Sequence, residues 1–177
     1  MYTSESTTKS DTILANILKY ESSEKMVAKQ FVDDGWTATS NTAHNCTFDL
    51  IVAKDGVPIT LEVKDESNYT SSPNICIEGW QGEDHHPSGI QTTRADVGIH
   101  ILGSESVVYY NPEMSKWIDA NKPLVINEFK GADNKNGGWL VRKSQVLANR
   151  WCGLFPTVFI PGCRIIQSIL RHRSNHV

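Results

Sequence analysis

The sequence predicts a single α/β domain, and three observations point there. Two apolar runs, residues 48–54 and 57–64, flank the pair Asp55-Gly56, a strong short-range signal for a tight β-hairpin. Segments with apolar residues at helical spacing lie before and after it, over 24–31 and 163–173. Between residues 24 and 102 the chain reads helix, strand, hairpin, strand, helix, strand.

Taken in order, Ser10-Asp11 caps a helix carrying Ile13, Leu14, Ile17 and Leu18. Glu24, Val27, Ala28 and Phe31 fall at i, i+3, i+4 and i+7 of the next helical segment, which Gly35 ends. Glu24 therefore shares the inward stripe, where an acid either finds a partner or snorkels to water, and Glu21 competes for the same place one turn earlier. Residues 36–42 read as a strand and His44-Asn45 as the turn into the hairpin.

After the hairpin come a polar loop over 65–73, a short alternating strand over 74–78, and a loop over 79–87 rich in Gly, Asp and His. Loops of that kind, held by rigid elements, are where substrate-facing residues concentrate. Residues 88–96 read as a short helix leading into a strand at 97–102, whose partner is 107–110. Pro112 opens a helix through Ala120. Strands at 124–129 and 139–141 bracket a loop at 131–138. A helix over 143–151 and a terminal helix over 163–173, with Ile165, Ile166, Ile169 and Leu170 on one side, complete the chain.

The hairpin carries the chemistry. With Asp55 and Gly56 as its loop, Lys54 faces Val57, Val52 faces Ile59, Leu50 faces Leu61 and Asp49 faces Glu62. Side chains alternate along a strand, so Phe48, Leu50, Val52, Ile59, Leu61 and Val63 share one face, and Asp49, Glu62 and Lys64 the other. Like charges opposed at a Cβ separation of about 5 Å repel. A divalent cation with hard oxygen ligands would remove that cost; alternatively these are solvated charges, one of them neutralised by Lys64. Pro58 in the second strand favours an edge or a bulge.

Asp49, the hairpin and Glu62-Val63-Lys64 together resemble the PD-(D/E)XK nuclease superfamily, whose core motif is an acid on one strand and (D/E)-X-K on the next; Phe48 stands where the family name has proline. The resemblance spans roughly residues 24–102 and is nearest to Holliday junction resolvase-like or phage-type endonucleases. It implies a restriction endonuclease-like αβββαβ core, a central mixed sheet flanked by helices, over about residues 11–110, with 111–177 as a basic extension. It also implies a magnesium site, with manganese able to substitute, held by Asp49, Glu62 and the Val63 backbone carbonyl. Many members add a glutamate from the helix before the first strand, a role for Glu24 or Glu21. Glu78 would be a further metal or water ligand, or a strand-end surface charge. Gln91 or Arg94 would point at the phosphate from the following helix, and Ser88, Thr92 and Thr93 could bind phosphate at its start. Lys64 would orient the attacking water or stabilise the transition state.

The 177 residues, 39% hydrophobic and 21% charged, suffice for one good core. No run is apolar enough to span a bilayer, and the polar N-terminus shows no secretory signal, so a cytoplasmic protein is expected. Cys46, Cys76, Cys152 and Cys163 are scattered without metal-finger spacing and are expected reduced. The net charge of −3 is unevenly spread: residues 130–177 hold eight Lys/Arg against Asp133 alone. A basic third beside an acidic remainder suits a protein that meets phosphates on one side. Arg94, Lys143, Arg150, Arg171 and Arg173 are the residues expected to track a DNA backbone. Nothing resembles a sequence-reading helix or finger, which favours DNA chosen by strand geometry, and cutting both strands of a two-fold junction would need a homodimer. The rival of a different class is a catalytically inactive nucleic-acid- or protein-binding module on the same fold.

Overall fold

The computed structural model describes residues 23–41, 47–127 and 136–175. The helix expected near residues 11–18, Glu21, the His44-Asn45 turn and most of the 131–138 loop lie outside the described residues. In chain order the helices are α1 (23–33), α2 (Asn111–Asn121), α3 (Lys143–Val146) and α4 (Arg164–Ser174). The strands are β1 (Thr37–Ser40), β2 (Leu50–Lys54), β3 (Val57–Asp65), β4 (Asn74–Gln81), β5 (His86–Pro87), β6 (Val97–Leu102), β7 (Glu105–Tyr110), β8 (Leu124–Ile126), β9 (Gly137–Arg142) and β10 (Cys152–Pro156).

The hairpin forms in the expected register, with Lys54 opposite Val57, Val52 opposite Ile59 and Leu50 opposite Leu61. Asp55 and Gly56 both take positive φ, 52° and 80°, the geometry that matches the twist of the flanking strands. Six strands make a mixed sheet in the order β1-β2-β3-β6-β7-β10, antiparallel except for β3 and β6, which run parallel. Pro58 breaks nothing, because β6 joins β3 only from Leu61 onward and the missing N–H falls where no ladder bond is required.

A parallel pair needs a long crossover, usually a helix. Here the chain instead leaves to form β4 and β5, returns as β6, and only later adds β8 and β9, which complete a second antiparallel sheet in the order β5-β4-β9-β8. The expected strand at 74–78 is therefore present as β4 but belongs to that second sheet. The expected helix at 88–96 shrinks to a single 3-10 turn, Gly89–Gln91. Gly89 sits at φ 53°, so close to β4 that a Cβ there would lie 2.3 Å from the Glu78 carbonyl oxygen, and the Thr93 hydroxyl accepts the Ala95 N–H. Both features pull the backbone out of helical geometry. The helix expected over 143–151 likewise stops after one turn, where the Asn149 amide folds back onto the Gln145 and Val146 carbonyls at 3.1 Å.

One face of the main sheet packs Leu50, Val52, Ile59, Leu61, Val63, Val97 and Ile99 against Val27 and Phe31 of α1 and Ile165 and Ile166 of α4. The other face packs Leu102, Val107 and Tyr109 against Ile75 and Ile77 of β4, Val141 of β9, and Met114 and Ile118 of α2. β6 is covered on both sides and buried along its whole length, the pattern of a parallel-sheet strand. No helix among the described residues is long and apolar enough to cross a membrane.

Arg173, expected on DNA, has another occupation. Its guanidinium grips Asp96 in a forked pair, at 2.6 and 3.0 Å, and donates to the Pro58 carbonyl, tying α4 to the start of β6 and to β3. Asp96 also accepts from the Thr60 N–H at 2.9 Å. Arg173→Ala is expected to cost about 1.5 kcal/mol in urea denaturation, the scale of charge-assisted hydrogen bonds. Arg171→Ala, at an exposed position of the same helix, should stay within about 0.5 kcal/mol of the parent.

Candidate active site

The even-numbered side chains of β3 turn away from the α1/α4 core toward the second sheet. Glu62 and Lys64 project there, beside Gly98 and His100 of β6, with which they pair directly. β4 closes the opposite wall with Cys76 and Glu78, and β7 contributes Tyr109. The result is a narrow cleft between the two sheets, lined by these charged and polar groups and by Ile77 and Ile90.

Lys64 Nζ lies 3.1 Å from Glu62 Oε1. Burial alone would pull its ammonium group down, but the charges of Glu62, Glu78 and Asp49 outweigh that and hold it above its ordinary value. Those acids favour the ammonium form, which can donate hydrogen bonds and stabilise negative charge.

Asp49 meets the hairpin differently from the simple register. Paired strand geometry stops at Leu50; the Asp49 N–H donates to the Leu61 carbonyl at 2.9 Å, and its Oδ2 accepts the Val63 N–H at 2.7 Å. The carboxylate, rather than a backbone carbonyl, answers that amide. Burial and then the charge of Glu62 push Asp49 up from 3.8 to about 6, against the Val63 N–H and Lys64, which pull it down. The repulsion expected between the two acids is therefore present. A carboxyl whose folded-state value is raised contributes stability that is fully present below its unfolded value and is lost as pH rises through about 6. Asp49→Asn, which keeps an oxygen for Val63, is expected to raise the melting temperature in chelator at pH 7.5 by about 2 to 4 °C. The gain should vanish near pH 4.

Glu78 is fixed from two sides. Ser88 Oγ donates to its Oε1 and Asn136 Nδ2 to its Oε2, at 3.3 Å. Ser88, expected to meet a phosphate, instead holds this carboxylate. Gln91 and Arg94 are exposed. Arg94 lies beside the start of β2, its N–H donating to the Thr47 carbonyl at 2.8 Å. Arg150 is exposed and Lys143 partly so, and the backbone of each is engaged: the Arg150 carbonyl accepts from Arg164, and the Lys143 N–H donates to the Pro73 carbonyl.

Magnesium and manganese take hard oxygen donors, are commonly held by one or two protein carboxylates, and keep several waters. Two carboxylates close enough for Glu62 to raise Asp49 match that donor chemistry. The larger ligand set does not form: among the described residues no three of His, Cys, Asp and Glu gather closely enough to hold a metal. Glu24 therefore does not complete a three-acid cluster with Asp49 and Glu62. Its neighbour Ser23 donates to Asp65 at the end of β3, at 2.8 Å.

The sequence reading missed a buried chain of polar groups beneath the cleft. Tyr109 Oη is 3.0 Å from His100 Nε2, His100 Nδ1 is 2.8 Å from Glu66 Oε1, and that oxygen also accepts the Cys76 N–H at 3.1 Å. One signal for it was visible: a histidine inside the apolar run Val97–Leu102 has to find polar partners once that strand is covered on both faces.

No protein-family model matches the chain, and no functionally curated protein matches it either. Among solved structures, the bacterial homing endonuclease I-Ssp6803I is similar in fold, with a TM-score of 0.50 and 12% identity over 89% of this chain and 95% of that one.

Proposed function

We propose that the protein is a divalent-metal-dependent DNA endonuclease with a PD-(D/E)XK type of active site, formed by Asp49, Glu62 and Lys64. The observation that carries this reading is the convergence of two mutually repelling carboxylates and a committed lysine cation at one end of a hairpin. The fold it shares with a homing endonuclease supports it. Asp49, Glu62 and the Val63 carbonyl would hold magnesium or manganese, with Glu78 facing the cleft from the second sheet. A bound ion supplies a water of lowered pKa and neutralises charge on the phosphate.

The chain's own residues do the rest. Lys64, as the ammonium its acidic neighbours favour, orients the nucleophilic water or stabilises the charge that builds on the phosphate as the bond to it forms. Glu62 holds Lys64 in place through their 3.1 Å contact. Arg94, exposed beside the start of the Asp49 strand, is placed to meet the DNA backbone near the cut, and the exposed Arg171 meets it farther away.

Two kinds of DNA are in view. The sequence favours branched substrates recognised by strand geometry, and a site on linear duplex is the alternative. Incubation of four-way junctions, flaps, supercoiled plasmid and a library of linear duplexes, with magnesium, manganese or chelator, decides between them. The expected result is metal-dependent cleavage of at least one class, lost in Glu62→Ala. Intact DNA in every arm overturns the reading and leaves the inactive binding module.

A further inference from the structure

We infer that Glu66 and His100 are positioning residues of the candidate active site: they hold the Tyr109 hydroxyl proton away from Glu62, so that this carboxylate faces the cleft and a divalent cation. The inference rests on the nuclease reading above.

The geometry begins at Gly98. It pairs with Glu62 on one side and with Tyr109 on the other, so these three positions lie in a row across β3, β6 and β7. With no side chain at 98, the phenol lies across the gap; a Cβ there would sit 2.3 Å from Tyr109 Cζ and 2.6 Å from its oxygen. The hydroxyl is thereby carried off its own strand and onto β6, toward Glu62, whose charge reaches it. Tyr109 and His100 are 4% and 2% exposed, so water does not compete for the hydroxyl.

A buried phenol beside a carboxylate would ordinarily donate to it. The relay prevents this. Glu66, as a carboxylate, only accepts, so the 2.8 Å contact places the imidazole hydrogen on Nδ1. In the neutral ring Nε2 is then an acceptor, and its 3.0 Å contact takes the phenol hydrogen. The tyrosine oxygen presents lone pairs to its surroundings, Glu62 finds no donor beneath it, and the carboxylate turns to Lys64 instead.

This reasoning predicts a rescue that a purely structural role does not. In Glu66→Leu no acceptor remains to hold the imidazole hydrogen at Nδ1, and in His100→Leu the acceptor of the phenol hydrogen is gone; both release that hydrogen to Glu62. Manganese affinity, measured on DNA-free protein by spin resonance, is expected to fall about tenfold or more in each, the scale of outer-partner substitutions at metal sites. Tyr109→Phe removes the hydrogen altogether and should bind manganese within about threefold of the parent. Added to either variant, it should restore affinity to its own level. The inference is overturned if Glu66→Leu binds manganese like the parent, or if adding Tyr109→Phe fails to rescue it; Glu66→Leu, of similar volume, serves should His100→Leu not fold. Should the parent bind no manganese, the metal site itself is overturned. If the parent binds manganese but cuts no DNA, the nuclease reading falls while the rescue pattern still decides the relay.

Discussion

Replacing Lys64 with alanine is expected to lower the metal-dependent cleavage rate about 10²- to 10³-fold, with DNA affinity changed no more than a few-fold. The loss is specific because the ammonium group acts on charge that develops in the transition state, where a fixed donor in a sheltered cleft is worth far more than in water. Three acids, Glu62, Glu78 and Asp49, surround it and favour its ammonium form. Single-turnover kinetics on a cleavable duplex or junction separate the two quantities. A variant that cuts like the parent removes Lys64 from the chemistry. A variant that merely binds more weakly assigns it to docking.

Leu61→Ala should do the opposite, removing stability while leaving the charged cleft in place. Leu61 is fully buried and sits at the junction of the sheet, opposite Leu50 in β2 and Val97 in β6. Large-to-small changes of this kind cost about 2 to 5 kcal/mol, the spread reflecting how far the neighbours collapse into the hole. Here collapse is restricted, since α1 and α4 press on the same cluster from outside and the paired strands fix the backbone. A loss of that size is a substantial part of the stability of an ordinary domain, and chemical denaturation reads it directly. Positions 61 and 62 thus divide the labour of one strand, the first holding the fold and the second the proposed chemistry.

Much of this was legible because it follows from local rules. The Asp55-Gly56 turn selects the hairpin register, alternation then selects the faces, and the apolar spacing of α1 and α4 marks what covers one of them. The second sheet was not legible. β4 alternates in burial like any half-buried strand, and nothing in such a pattern states which sheet it joins. β10 went unread because Gly153 and Pro156 weaken its strand signal; its partners on β7 lie more than 40 residues away in sequence, and only folding brings them together. At the site, the hairpin residues were found because they are adjacent on a ribbon. Glu66, His100 and Tyr109 were missed because their contacts cross strands. Arg173 was placed on DNA by charge alone, whereas the ion pair with Asp96 depends on a helix crossing the sheet.

Residues 164–174, which form α4, are made long after the hairpin, yet they seal one side of it and clasp Asp96 through Arg173. At ordinary translation rates of about 5 to 20 residues per second, the hairpin waits roughly 5 to 20 s on the ribosome with only α1 on that face. The Arg173–Asp96 clasp is therefore made after the sheet it braces, and a chain lacking residues 164–174 leaves Asp96 without that cation and the apolar face to α1 alone.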